Sequence, residues 1–225
     1  NAGGLSRRIV NFAMALVGHV RGGLGYVGIM AAVFMAALSG SAVADAAALS
    51  ALLLPMMVHA GHNKARSAGL LASASIIAPI IPPSIGFVIF GVAANVSISK
   101  LFLAGIAPGL LLGVTLCITW WYLARKEMVV PPARKNRGEI FAALKDALFA
   151  LGLPVIVVVG LKFGVFTPTE AAVVAAVYAL FISVFVYREL HVNQLFGLFL
   201  AAAKTTAVIM FLVAAAMVSA WLVTG

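Results

Sequence analysis

Runs without any Asp, Glu, Lys or Arg recur along the chain, at 22–44, 46–63, 67–99, 101–124, 147–161, 171–187 and 205–225. A helix rises about 1.5 Å per residue and needs about 20 apolar residues to cross a bilayer. The runs therefore predict membrane helices separated by short polar turns. The run 67–99 is long enough to span, but Pro79, Pro82 and Pro83 interrupt it. Proline removes a backbone N–H and clashes with the preceding turn, so this stretch predicts a broken helix over about 67–95. Unwound backbone at membrane depth persists only where protein or a watery cavity satisfies its polar groups, and interrupted spans of this kind mark substrate or ion sites in secondary transporters.

Between Arg21 and Lys64 lies a second informative pattern. Both ends are basic, and basic residues accumulate in cytoplasmic loops, so the chain enters and returns. Ser39, Gly40 and Ser41 are the consecutive small turn-formers between them. Each leg is then short for a full crossing, which favours a re-entrant helical hairpin over about 22–60. Further on, Arg125, Lys126, Arg134, Lys135 and Arg137 mark a basic cytoplasmic loop at 125–137, punctuated by Pro131 and Pro132. Trp120, Trp121 and Tyr122 precede it as an expected interfacial belt. Glu139–Asp146 is expected as a short amphipathic surface helix ahead of a separate crossing at 147–163. Thr167, Pro168 and Glu170 carry the pattern of a capping box with Pro at the first helical position. Residues 195–225 start another helix, with Lys204 snorkelling to the interface.

Composition agrees with the pattern. Hydrophobic residues make up 64% of the chain and charged residues 9%, with a mean hydropathy of +1.16, which places it among all-α polytopic membrane proteins. The net charge of +9 is read as loop charge that orients the protein rather than as a nucleic-acid surface. Cys117 stands alone, so no disulfide or thiolate metal site is available. The chain begins at Asn1 and stops at Gly225 directly after an apolar run, which reads as a fragment of a longer membrane protein.

The candidate chemistry gathers at the two interruptions. Each break leaves a half-helix with free carbonyls and another with free N–H groups. The former suit a small hard cation such as sodium, and the latter suit a carboxylate. The candidate sodium- and substrate-binding residues are Ser39, Gly40, Ser41, Asp45, Pro79, Pro82, Pro83 and Ser84. Ser41 and Ser84 stand where N-caps belong. Asp45 is the one acidic residue between Arg21 and Arg125; it either contributes to the site or holds the hairpin tip in shape. Ser73 and Ser75 either face the site or bond back to the preceding turn. His59 and His62 are read as part of a solvated loop rather than as metal ligands. Nothing in the chain resembles a phosphate-binding glycine loop or a catalytic triad, so an ATP-driven pump and an enzyme are both disfavoured, and no cofactor beyond sodium as coupling ion is expected.

SGSAVAD at 39–45, IAPIIPPSIGFVIFG at 77–91 and SISKLFLAGIAPGLLLG at 97–113 resemble the large membrane subunit of TRAP transporters. TPTEAA at 167–172 and the opening NAGGLSRRIV fit the same family, and the combination resembles the branch associated with sugar acids such as diketogulonate. The resemblance implies an elevator-type ion-transporter fold with inverted repeats, each holding one hairpin and one broken helix. Residues 1–100 would then form half of the transport domain. Residues 101–225 would form scaffold or arm spans and the start of the second repeat. It also implies sodium-driven uptake of a carboxylate, such as a sugar acid or a C4-dicarboxylate, across the bacterial inner membrane. A small membrane subunit and a periplasmic substrate-binding protein would be the partners. The competing readings are a stand-alone sodium/carboxylate transporter, a passive channel, and a membrane enzyme.

Overall fold

The computed structural model describes residues 3–125, 127, 129 and 133–224. Asn1 and Ala2 of the opening motif and Lys126, Pro131 and Pro132 of the basic loop lie outside the described residues. All regular structure among the described residues is helical. The order is α1 (Leu5–Val17), α2 (Gly23–Ser39), α3 (Ala42–His59), α4 (Lys64–Ser75), α5 (Ile85–Ala93), α6 (Ile98–Ala124), α7 (Arg137–Lys162), α8 (Pro168–Phe181) and α9 (Val192–Thr224), with a π-helical turn at Ile182–Val186 after α8. Five of these segments, α3, α6, α7, α8 with its π turn, and α9, are long and apolar enough to cross a membrane. The chain is a polytopic, all-α membrane protein.

The core forms where α1, α2, α3 and α4 pack together, around Ile9, Val27, Leu49, Leu53, Met57 and Leu71, all fully or almost fully buried. Burying such side chains stabilises each by roughly 1.5–3 kcal/mol when water is the reference. Helix α6 lies along this body. A Cβ at Gly105 would sit 2.2 Å from the Ile80 carbonyl, and one at Gly109 would sit 2.4 Å from the Ile81 side chain. Small residues at such crossings let backbones approach.

At the base of the α2–α3 hairpin, Trp120 is fully buried rather than interfacial. Its indole N–H donates to the Gly22 carbonyl at 2.8 Å, and its ring lies over Gly25, where a Cβ would come within 2.0 Å. An indole with a hydrogen-bond partner and a glycine cradle is stable in a core. Trp121 and Tyr122 remain exposed. His62 also departs from the solvated-loop expectation. Its side chain is 1% exposed, with Nδ1 2.5 Å from Glu127 Oε2, and its ring packs 5.5 Å from that of Trp120. Glu127 also pairs with Arg66 at 3.4 Å. Arg21 donates to the carbonyls of Arg125 and Glu127 at 3.2 and 3.5 Å. The hairpin base, the start of α4 and the end of α6 thus share one end of the molecule. His59 is exposed.

Residues 137–162 form one helix, not a surface helix followed by a crossing. It opens on a capping box made by Asn136 and Glu139. No glycine or proline stands near residue 146 to stop it, and Pro154 is accommodated within it. Asp146 is held within the helix by Arg8 of α1, whose Nε lies 3.2 Å from Asp146 Oδ1 and whose Nη1 lies 2.7 Å from Glu189 Oε1. The same guanidinium lies 3.7 Å from the centre of the Tyr187 ring. Helix α8 starts on the expected capping box, with Thr167 and Glu170 bonded reciprocally and Pro168 at the first position. Helix α9 has no buried residues over its apolar stretch.

Candidate functional site

The hairpin reverses in three residues, for local reasons. Gly40 takes a left-handed backbone, φ +57°, and its N–H closes α2 on the Ala36 carbonyl at 3.1 Å. Ser41 is extended and caps α3, its Oγ accepting from the Ala44 N–H at 3.4 Å. The Ser41 N–H in turn donates to Ser39 Oγ at 3.3 Å. Glycine suits the first position because a Cβ there is strained, and serine suits the second because its hydroxyl satisfies an orphan N–H.

The broken span is organised in a similar way. Helix α4 closes at Ser75, whose hydroxyl donates back to Leu71 O at 2.8 Å, the self-bonding alternative of the sequence reading. The chain then passes through turns to the Pro82–Pro83 peptide, which is cis, and resumes as α5 from Ser84. Ser84 is 1% exposed. Its hydroxyl donates to the Pro79 carbonyl at 2.6 Å and accepts from the Phe87 N–H at 3.3 Å, so it fastens both edges of the break.

The two interruptions touch. A Cβ built on Gly40 would lie 2.6 Å from the Pro83 carbonyl oxygen and 3.3 Å from Ser84 Cα and the Ile85 nitrogen. Beside this contact lies a cavity of about 340 Å³. Ser39, Pro83 and Ser84 line it from the two breaks, Phe102 from α6, and Leu153 and Val157 from α7. Its far wall is α8, through Ala171, Ala172, Ala175, Ala176 and Ala179. The α7 and α8 residues were not singled out in the sequence. Their trace is the small-residue spacing of four along α8, which a sequence reader takes for ordinary helix packing.

Asp45 lies behind the tip in the first turn of α3. It is 1% exposed; its carboxylate interacts with the Ser39 hydroxyl, and its Oδ2 has no hydrogen-bond partner. Gly40, Ser41, Asp45, Pro79 and Pro82 belong to the two breaks without lining the cavity. Hard cations take oxygen ligands. The oxygens near the two breaks are of that type: the Ala36 carbonyl at the end of α2, the Pro79 and Pro83 carbonyls of the broken span, and the Asp45 carboxylate next to Ser39. The N-termini of α3 and α5 point partial positive charge at the same junction.

Comparison with known proteins bears on what this junction belongs to. Residues 1–225 match the family described as "Tripartite ATP-independent periplasmic transporter, DctM component". Over 224 residues the chain is 57% identical to the 2,3-diketo-L-gulonate TRAP transporter large permease protein YiaN of Escherichia coli (strain K12), with 100% of this chain and 53% of that protein covered. It is 41% identical over 222 residues to the C4-dicarboxylate TRAP transporter large permease protein DctM of Pseudomonas aeruginosa, covering 99% and 52%. It is 42% identical over 216 residues to the isethionate TRAP transporter permease protein DctMQ of Oleidesulfovibrio alaskensis, covering 96% and 34%. The chain spans about half the length of the large permease proteins it matches. An apolar helical chain with two touching helix breaks, matched from end to end, belongs to the DctM component family of the tripartite ATP-independent periplasmic (TRAP) transporters, a family of transporter permeases rather than enzymes.

Proposed function

We propose that this chain is part of the large permease subunit of a sodium-coupled, binding-protein-dependent transporter that imports a carboxylate of the sugar-acid or C4-dicarboxylate class across the bacterial inner membrane. Its partners are a small membrane subunit and a periplasmic substrate-binding protein. The observation that supports this most is the contact of Gly40 with Pro83 and Ser84, with a buried and half-unpaired Asp45 beside it. Helix-end carbonyls of α2 and of the 79–83 turn, with Asp45, hold the sodium ion. The N-terminal dipoles of α3 and α5 attract the substrate carboxylate. The cavity supplies half of the pocket, and the remaining half comes from residues outside this chain. Substrate class follows the relatives named for 2,3-diketo-L-gulonate and C4-dicarboxylates. In this reading residues 1–100, with the hairpin and the broken helix, form half of the body that moves in an elevator-type cycle, and residues 101–225 supply scaffold or arm spans and the start of the second repeat.

The test is uptake by proteoliposomes holding the complete complex, with and without a sodium gradient and with and without the binding protein. Ser39→Ala, Ser41→Ala and Asp45→Asn are expected to lower uptake, Asp45→Asn by about tenfold or more if one charge-assisted ligand worth about 1.5 kcal/mol or above is lost. Normal, sodium-independent transport by all three variants overturns the site. Full transport without a binding protein assigns a stand-alone carrier instead.

A further inference from the structure

Away from the helix breaks, α2 and α6 enclose an open groove of about 830 Å³ whose walls are almost wholly apolar. Tyr26, Met30 and Val33 form one wall, and Leu110, Val114 and Ile118 the other. The second wall is largely exposed, with Leu110 at 49%, Val114 at 55% and Ile118 at 60%. Val20 and Trp121 line the groove as well, and they bring it to the end of the molecule where Arg21 and Arg125 lie.

Those two arginines are unusual in their partners. Arg125 lies with its guanidinium 3.4 Å from the centre of the Trp121 ring. Arg21 donates to the carbonyls of Arg125 and Glu127. Neither guanidinium forms an ion pair among the described residues. The carboxylate nearest to them, Glu127, is taken by His62 and Arg66. Two uncompensated positive charges thus stand at the mouth of an apolar groove, at the end that the distribution of Lys and Arg assigns to the cytoplasm. Guanidinium groups match phosphate oxygens in geometry as well as charge, and basic pockets between membrane helices on that side take anionic lipid headgroups.

We propose that the α2–α6 groove is a binding site for an anionic phospholipid, with one acyl chain along Met30, Val33 and Val114 and the phosphate between Arg21 and Arg125. The occupant is a lipid because the groove offers hydrocarbon along its length and uncompensated charge at one end only. A protein helix laid there would have to bring its own carboxylate to this one end to match the guanidinium groups, whereas an anionic phospholipid carries that charge in its headgroup.

The complete permease, reconstituted in nanodiscs with a photoactivatable phosphatidylglycerol or its phosphatidylcholine counterpart, tests this by mapping of crosslinked peptides. Phosphatidylglycerol is expected to label the peptides holding Met30 and Val114 in preference to phosphatidylcholine, by about five-fold per guanidinium. Arg21→Gln and Arg125→Gln each reduce that preference. Val114→Trp, which fills the groove and keeps both charges, blocks labelling by both lipids. Equal labelling of the wild-type protein by the two lipids overturns the proposal without any variant being needed. So does absence of labelling by either, which assigns the groove to protein.

Discussion

Gly40 and Pro83, from two different helix breaks, approach until a single added carbon on the glycine would lie 2.6 Å from the proline carbonyl oxygen. Real Cβ atoms do not sit that close to backbone oxygens, and the backbone of Gly40 is left-handed as well. Gly40→Ala therefore combines strain of roughly 1–2 kcal/mol with a clash that one of the two breaks must move to relieve. The variant is expected to insert in the membrane and yet lose nearly all transport. A crosslink engineered between Leu38 and Ile85 that forms as efficiently in the variant as in wild type argues against displacement of the tip.

Ser84 fastens the break by a donated and an accepted bond. Ser84→Ala leaves the Pro79 carbonyl without its donor and the first turn of α5 without its cap. A lost cap costs about 1 kcal/mol, and a buried acceptor left unpaired costs about 1–3 kcal/mol. The melting temperature of the complete permease in mild detergent is expected to fall, whereas Ser84→Thr, which keeps the hydroxyl, retains most of it. Equal melting for Ala and wild type shows that the two bonds contribute little.

Trp120 ties α6 to the hairpin base through the Gly22 carbonyl. Trp120→Phe keeps an aromatic ring over Gly25 and deletes the N–H donor, with an expected loss of roughly 1–2 kcal/mol. Gly25→Ala is expected to be worse, because its methyl would overlap the indole. Melting curves rank the two. The reverse order would mean that the hydrogen bond, not the close approach, sets the fit.

Arg8 and Arg7 hold the Glu189 carboxyl below its ordinary value of 4.5, the hydrogen bond from Arg8 being the largest cause. A depressed carboxylate stabilises the fold at neutral pH, and the contribution is lost as the pH falls through the folded-state value. Wild-type melting should therefore decline on acidification below the ordinary carboxyl value of 4.5. Glu189→Gln should melt lower at neutral pH, with a shallower decline across that acidic window. Parallel melting profiles for the two proteins mean that the pair does not couple α1 to the turn before α9.

Local chemistry made the two interruptions legible. Ser39, Gly40 and Ser41 place one residue tolerant of positive φ between two serines, and the three prolines forbid a regular helix across 79–83. The Thr167 box was legible for the same reason, since each partner lies within one turn. Burial across the sequence was not. Trp120 reads as interfacial from its neighbours Trp121 and Tyr122, but its fate depends on Gly22 and Gly25 on a helix that precedes it by almost the length of a small domain. His62 looked solvated among Asn63 and Lys64, and its partner Glu127 lies beyond both the broken span and α6. Asp146 suggested the end of a surface helix because the charge that accepts it, Arg8, comes from α1.

The alanine wall of α8 facing the hairpin tip bears on friction. Methyl groups at 171, 172, 175, 176 and 179 present no ridge tall enough to interlock with Leu38 or Ile85. Leucines in those places would mesh into one register and resist slipping, whereas a low-relief face trades one shallow contact for another as its neighbour glides past. In the elevator cycle proposed above, the smoothness of this helix would set how freely the tip travels, and a single bulky residue there would act as a brake.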